Sequence, residues 1–212
     1  MANIFDAINY AMRICWDEGY GYRIGGHAAN YNDGVDCGGL VFHCLHMAGF
    51  SGIPDTSPGV HNMHPYMINA GFNEIPYDRN TFVPQDGDIV TMYNPNVSPH
   101  IGHTFFYAEN IRAYTDAGAN SDNIGIVQHA KVEASDSHGH TEPGDHRKNG
   151  TGAYYEVWCH AYYNLVDHTR YPDDSMVKVY RIGGSKVSLP FLVAAATDHR
   201  RKALLFDIQL FE

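Results

Sequence analysis

A sharp boundary between a loop-like stretch and an apolar run lies at Asp36–Gly39, whose residues are Asp-Cys-Gly-Gly. The residues before it are rich in Gly, Asn and Asp, which favour turns and loops. From Leu40 to Ala48 apolar side chains recur at helical spacing from Cys37, so the sequence predicts a helix that begins close to this cysteine. The boundary therefore requires a fold in which a long loop leads to a cysteine at the start of a helix.

The position of Cys37 is typical of a reactive thiol. The thiolate is the nucleophilic form, and the positive end of a helix dipole stabilises its charge. Gly38 and Gly39 are poor helix formers, but bare backbone beside a nucleophile leaves room for a substrate. The alternative is that Cys37 is a small buried hydrophobic residue, as most free cysteines are. On this stretch alone both interpretations stay open.

Composition bounds the class of protein. The chain has 212 residues, of which 44% are hydrophobic and 18% charged, and this predicts one globular domain with a sizeable core. It carries 14 basic and 24 acidic side chains, a net charge of −10, with no Lys/Arg-rich run. Nucleic acid and anionic membranes are therefore not expected as partners. No apolar run approaches the roughly 20 residues of a membrane helix, so we expect no membrane insertion.

Cysteine usage and the N-terminal residues bear on the compartment. The four cysteines, Cys15, Cys37, Cys44 and Cys159, lie far apart, which predicts free thiols rather than a zinc ribbon or a disulfide scaffold. The first residues lack the basic segment and apolar stretch of a signal peptide. We therefore expect synthesis in the cytoplasm and, for action outside it, release by another component.

The periodicity of the chain predicts helices first and strands afterwards. A first helix follows the N-cap residue Asn3 and carries apolar residues from Ile4 to Cys15, and a short helix spans about His61 to Ala70. Five segments rich in β-branched and aromatic residues predict strands at 88–93, 103–108, 124–130, 154–163 and 176–182. This order predicts an α+β domain with an antiparallel sheet packed on the Cys37 helix.

The last residues differ in character from the rest. We expect the domain to occupy residues 1–182 and the C-terminal tail, 183–212, to have a separate role that the sequence leaves unknown. The tail carries too much apolar surface to stay in solvent. It is expected either to pack back on the domain or to bind a partner, such as a virion protein.

Three histidines are candidates for the general base that a cysteine nucleophile needs. His103 shares one face of a predicted strand with apolar residues, where a polar ring requires a partner. His129 ends the next predicted strand, so the two rings could lie side by side. His100 ranks second to His103 because Pro99 and Gly102 flank it in a predicted turn, a less rigid platform. The structural alternative for each is an ordinary sheet histidine.

A histidine-rich loop offers a different interpretation. His138 and His140, with nearby acidic residues, are compatible with zinc, but the segment is glycine-rich and lacks a rigid pair of ligands on a helix. We interpret it as a solvated loop bordering the cleft and expect no metal.

The order of the motifs resembles a known family. Residues 4–182 are similar to the NlpC-type peptidoglycan cysteine peptidases and the related phage lysin amidases. The motifs that carry the resemblance are Tyr22–Gly26, Asp36–Gly39, Asp86–Val90, Gly102–Tyr107 and Gln128–Ala130, with a weaker match at Gly144–Asp145 and Gly152–Val157.

The resemblance implies a papain-like α+β fold with a defined set of site residues. It implies Cys37 as nucleophile, His103 as general base and His129 as the third, orienting residue. Tyr22, Asp36 and Gly38 are the expected substrate-binding residues. The family usually has Ser where this chain has Gly38.

The implied activity is hydrolysis of an amide bond in peptidoglycan by a Cys-His thiol mechanism that requires no metal or cofactor. The bond is either the one joining the stem peptide to the sugar (N-acetylmuramoyl-L-alanine amidase) or one within the stem (endopeptidase). The expected setting is a phage lysin, released by a holin or carried in the virion. The alternative is a catalytically inactive cell-wall-binding or virion-structural module on the same fold.

Overall fold

The computed structural model describes residues 2–14, 22, 24–25, 35–109, 111–114, 124–127, 129–135, 154–159 and 165–183. These residues form helices packed on an antiparallel sheet, which confirms the predicted α+β class. Among them, no helix combines the length and apolar character that crossing a membrane requires. Cys15, the histidine-rich segment 136–150 and the tail from residue 184 lie outside the described residues.

Helix α1, Ile4–Arg13, begins where the sequence predicts. The Asn3 side chain caps it by accepting a hydrogen bond from the Phe5 N–H at 3.1 Å. One face of the helix is buried in the core, and its buried residues are Ile4, Ala7, Ile8, Ala11 and Met12.

Helix α2, Cys37–Met47, is the central helix, and Asp36 is its N-cap. The two carboxylate oxygens of Asp36 accept hydrogen bonds from the Gly39 N–H at 2.5 Å and from the Gly25 N–H at 2.8 Å. The cap therefore holds the preceding loop against the start of the helix. Apolar residues surround α2 on most sides, because it lies between α1 and the sheet.

The main sheet has six strands, and every neighbouring pair is antiparallel. A short 3₁₀ helix, Val60–Asn62, and helix α3, His64–Asn69, lead into it. In chain order the strands of the fold are β1 (Phe72–Ile75), β2 (Ile89–Asn94), β3 (Ile101–Ala108), β4 (Ile111–Tyr114), β5 (Ile124–Val127), β6 (Ala130–Ser135), β7 (Tyr154–Cys159) and β8 (Val177–Ile182). The order across the main sheet is β1-β8-β2-β3-β6-β7, and β4 pairs with β5 separately.

Each face of the sheet has its own core. One face, with Phe106 and Val132, packs against α1 and α2. On the opposite face, Phe105 and Tyr107 pack with Leu165, Val166 and Tyr171. We call residues 165–171 the covering segment. Because side chains alternate along β3, Phe105 and Phe106 enter different cores.

The structure corrects the predicted strand at 124–130. That stretch contains two strands, β5 and β6, and His129 between them has a left-handed backbone with φ of 54°. Such a conformation is uncommon for a residue with a Cβ and breaks the strand. The partner of β3 is consequently β6, which begins at Ala130 and runs on to Ser135. Strand β1 and the strand β4 within the segment 109–123 were not expected from the sequence.

We predict that Asp36→Ala lowers the free energy of unfolding by about 1 kcal/mol, because two backbone N–H groups lose their acceptor. Asp36→Asn should cost less, since Asn is also a good N-cap. Urea denaturation measures both. Asn3→Ala is the matched control, because it removes the cap of α1 by the same mechanism away from Cys37. An unchanged stability for Asp36→Ala would contradict the capping role and favour the substrate-binding role expected from the sequence.

Candidate active site

The candidate site forms where two strands of the sheet separate. Strands β3 and β6 are paired only from Phe106 to Ala108, opposite Ala130 to Val132. Beyond Phe106, β3 continues along β2 and β6 continues along β7, and the described residues show no further pairing between β3 and β6. His103 and Glu133 lie on these separated ends.

Cys37, His103 and Glu133 come together at this opening. The Nε2 atom of His103 is hydrogen bonded to the Glu133 carboxylate, with Nε2 and Oε2 2.8 Å apart. The Cys37 side chain lies close enough to the same ring to raise the pKa of His103, and Nδ1 is the ring nitrogen that Glu133 leaves available. The result is a row of a thiol, an imidazole and a carboxylate, which is the arrangement that thiol catalysis needs.

The charge state of His103 is set by its two partners. Burial lowers the pKa of the ring, but the charge of Glu133, the hydrogen bonds to Cys37 and Glu133 and the charge of Cys37 together raise it from 6.5 to about 10. His103 is therefore an imidazolium at neutral pH. A positive charge next to a cysteine favours the thiolate, which is the nucleophilic form.

The site is largely shielded from water. Cys37 is 5% exposed, and the side chains of Glu133 and His103 are 4% and 22% exposed. Tyr171 of the covering segment also lies near Cys37. Burial, and to a lesser extent the charge of Cys37, raise the pKa of Tyr171 to about 12. Low exposure strengthens the interaction between the charged groups, because water no longer screens it.

His129, expected as the third residue of the site, lies elsewhere. Its Nδ1 atom is 2.5 Å from the hydroxyl of Tyr107, which donates a hydrogen bond to Glu109 at 3.0 Å. Tyr107 is four residues beyond His103 on β3, which corresponds to about 13 Å along a strand. The structure thus places Glu133 against His103, and the left-handed bend at His129 explains why the expected side-by-side histidines do not form.

His100, the second candidate for the base, is on the surface. Its Nδ1 atom is hydrogen bonded to the Val97 carbonyl at 2.9 Å, and its ring contacts Tyr93 edge-on. The structure brings His103, not His100, to Cys37.

Two of the expected substrate-binding residues, Tyr22 and Asp36, lie next to the N-terminus of α2. Tyr22 forms a β-bridge with Val35, two residues before Cys37, and packs partly buried against the core. Both carboxylate oxygens of Asp36 are used by backbone N–H groups, so the structure gives this residue a capping role.

Gly38 fits the site because a neighbouring loop fills the space beside it. A Cβ atom at position 38 would overlap with the Ser57 hydroxyl oxygen. Two histidines of α2 fix this loop: His43 pairs with Asp55 at 2.6 Å, and His46 is hydrogen bonded to the Ile53 carbonyl at 2.9 Å. A serine hydroxyl is therefore present next to Gly38, although it comes from position 57 instead of position 38.

A cavity of about 290 Å³ lies next to Gly102, and none of Cys37, His103 and Glu133 lines it. Val60 and Tyr93 line it, and both pack closely against Gly102, the residue before His103. Asp173 and Lys178 add one charge of each sign to its wall. A larger cavity of about 430 Å³ is lined by residues around Asp86 and Arg181, and neither Cys37 nor His103 is among them.

The described residues contain no group of three or more His, Cys, Asp or Glu side chains arranged to hold a metal ion. The histidine-rich segment considered for zinc lies outside these residues. Searches against models of protein families, curated proteins and solved structures find no match for this chain. The fold and the site therefore define an α+β protein with a Cys-His-Glu constellation.

Glu133 is the site residue that the sequence interpretation missed. In the segment 130–135, charged and small apolar residues alternate, a pattern typical of a strand with one solvent-exposed face. The covering segment, which follows some thirty residues later, buries that face instead. The alternation predicts a strand, but nothing local predicts that its charged side is buried.

We predict that Glu133→Gln lowers the pKa of His103, since the largest group opposing the effect of burial is removed. In the unchanged protein the ring should lose its proton only near pH 10, and in the variant at clearly lower pH. Titration of the histidine ring signals by NMR measures this. His129→Gln is the control and should leave the His103 titration in place. If His129→Gln moved it and Glu133→Gln did not, the assignment of the orienting residue would be wrong.

Proposed function

We propose that this chain is a cysteine-dependent peptidoglycan hydrolase with a papain-like NlpC-type fold, which cleaves an amide bond of the bacterial cell wall. The observation that carries the proposal is the contact of Cys37, at the start of a buried helix, with a His103 ring held by Glu133. The motif order of the sequence supplies the substrate class, and the geometry supports the thiol chemistry.

The first half of the reaction is acylation of the cysteine. The Cys37 thiolate attacks the amide carbonyl carbon, and the Cys37 backbone N–H at the helix start stabilises the oxyanion. The His103 imidazolium then donates its proton to the departing amine, and a thioester remains on Cys37.

The second half releases the product. Neutral His103 takes a proton from water, which attacks the thioester carbonyl, and the Cys37 thiolate leaves as the carboxylate product forms. Glu133 keeps Nε2 of the ring protonated and Nδ1 directed at the sulfur through both halves. It thereby takes the role that the resemblance gave to His129.

Substrate groups further from the cleaved bond could occupy the cavity next to Gly102, which Cys37, His103 and Glu133 do not line. The aromatic and hydrogen-bonding walls of this cavity, where the His61 and Tyr93 rings lie tilted with centroids 5.3 Å apart, match the mixed polar and apolar character of a stem peptide attached to a sugar. Cleavage at the sugar–peptide amide and cleavage within the stem both fit this account. A phage lysin, free or carried in a virion, is the proposed setting.

We predict that the protein clears a suspension of purified peptidoglycan and that Cys37→Ala abolishes clearing, with a loss on the order of 10³-fold or more. His103→Ala should lose a comparable amount, and Glu133→Gln less, because it keeps the nucleophile and the base. Turbidity at 600 nm is the measurement. Iodoacetamide should block clearing and EDTA should not.

His100→Ala is the matched control, because it removes a nearby histidine that does not contact Cys37. If Cys37→Ala cleared peptidoglycan at the normal rate, the proposal would be wrong. If the unchanged protein were folded but cleared no peptidoglycan, the inactive binding module would be favoured. Inhibition by EDTA but not iodoacetamide would indicate a metal enzyme instead.

A further inference from the structure

Lys131 is a buried lysine next to the proposed catalytic residues. It precedes Glu133 by two positions on β6, so both side chains lie on the same face of the sheet. Lys131 is only 9% exposed, and its Nζ atom lies 4.9 Å from the centroid of the Phe105 ring. Buried lysines are rare unless an anion compensates their charge.

Among the charged groups near Lys131, Glu133 has the largest compensating effect on its charge. Burial lowers the pKa of Lys131, while the charges of Glu133 and then Asp167 act in the opposite direction. Glu133 is itself only 4% exposed, and its carboxylate is hydrogen bonded to His103. A carboxylate at this depth requires positive partners to remain ionised.

We propose that Lys131 is a positioning residue that acts through Glu133, holding its carboxylate ionised and directed at His103. The inference rests on the proposed function only in that it assigns Lys131 to the same site. With Lys131 present, the two positive groups His103 and Lys131 balance the two negative groups Cys37 and Glu133. Without Lys131 the site would hold an excess negative charge in a region of low exposure.

Other titratable residues near Lys131 in the sheet register or on the covering segment enter the design of the test. On β3, Tyr107 is the register partner of Lys131, and on β7, Glu156 is the register partner of Glu133. The covering segment contributes Asp167 and Tyr171. The groups to be separated from Glu133 are therefore Asp167, Glu156, Tyr107 and Tyr171.

The test is the rate at which iodoacetamide alkylates Cys37 as a function of pH, followed by mass spectrometry of the Cys37 peptide. In Lys131→Met we expect the pH of half-maximal rate to rise by about one unit, because Glu133 then favours its protonated form and stabilises the His103 imidazolium beside Cys37 less. Lys131→Arg keeps the charge and should leave the profile near that of the unchanged protein. A profile that does not move in Lys131→Met would overturn the proposal.

Double variants identify the residue through which Lys131 acts. In a Glu133→Gln background, Lys131→Met should add little or no further shift, whereas in Asp167→Asn or Glu156→Gln backgrounds the full shift should persist. A full shift retained with Glu133→Gln would contradict the proposal. If Lys131→Met fails to fold, Lys131→Gln replaces it, and a purely structural role would lower stability without moving the alkylation profile.

The assay needs no peptidoglycan, so the two proposals can fail separately. The expected shift together with no clearing of peptidoglycan would reject the proposed substrate and keep the role of Lys131. Normal clearing with no shift would reject the role of Lys131 alone.

Discussion

The hydrogen bond between His103 and Glu133 joins two strand ends that no longer pair with each other, and the site depends on it. It requires β6 to begin at Ala130, so that Glu133 lies level with the opening. It also requires a buried environment, because the same contact in water would contribute little. The covering segment supplies that environment by packing on Phe105 from the opposite side of the sheet to α2.

The start of α2 is the second fixed point of the structure. Asp36 connects the loop before the helix to its first turn, and this sets the position of Cys37 relative to β3. On the other side, the loop carrying Ser57 is held along α2 by His43 and His46. Cys37 is thus placed by the cap of α2 and by the hydrogen bonds of His43 and His46 to the neighbouring loop, and the backbone at Gly38 packs closely against a hydroxyl.

Local patterns were sufficient to predict the α+β class, the N-cap Asn3, the start of α2 and the position of His103 on a strand, whereas the capping role of Asp36 was not predicted. The third residue could not be predicted in the same way, since it depends on a single left-handed residue, His129, which shifts the paired strand by several positions. The burial of Lys131 and Glu133 depends on a segment distant in sequence. Periodicity reports which residues share a face, but not what later covers that face.

The most direct test of the central claim is the chemistry of the cut made in peptidoglycan. Digestion in H₂¹⁸O followed by mass spectrometry should give fragments with one new amine and one new ¹⁸O-labelled carboxylate, produced by the unchanged protein and not by Cys37→Ala. A new N-terminal L-Ala would identify an amidase and a new amine within the stem an endopeptidase. New reducing sugar ends, or the same fragments from Cys37→Ala, would contradict hydrolysis by the Cys37–His103–Glu133 site.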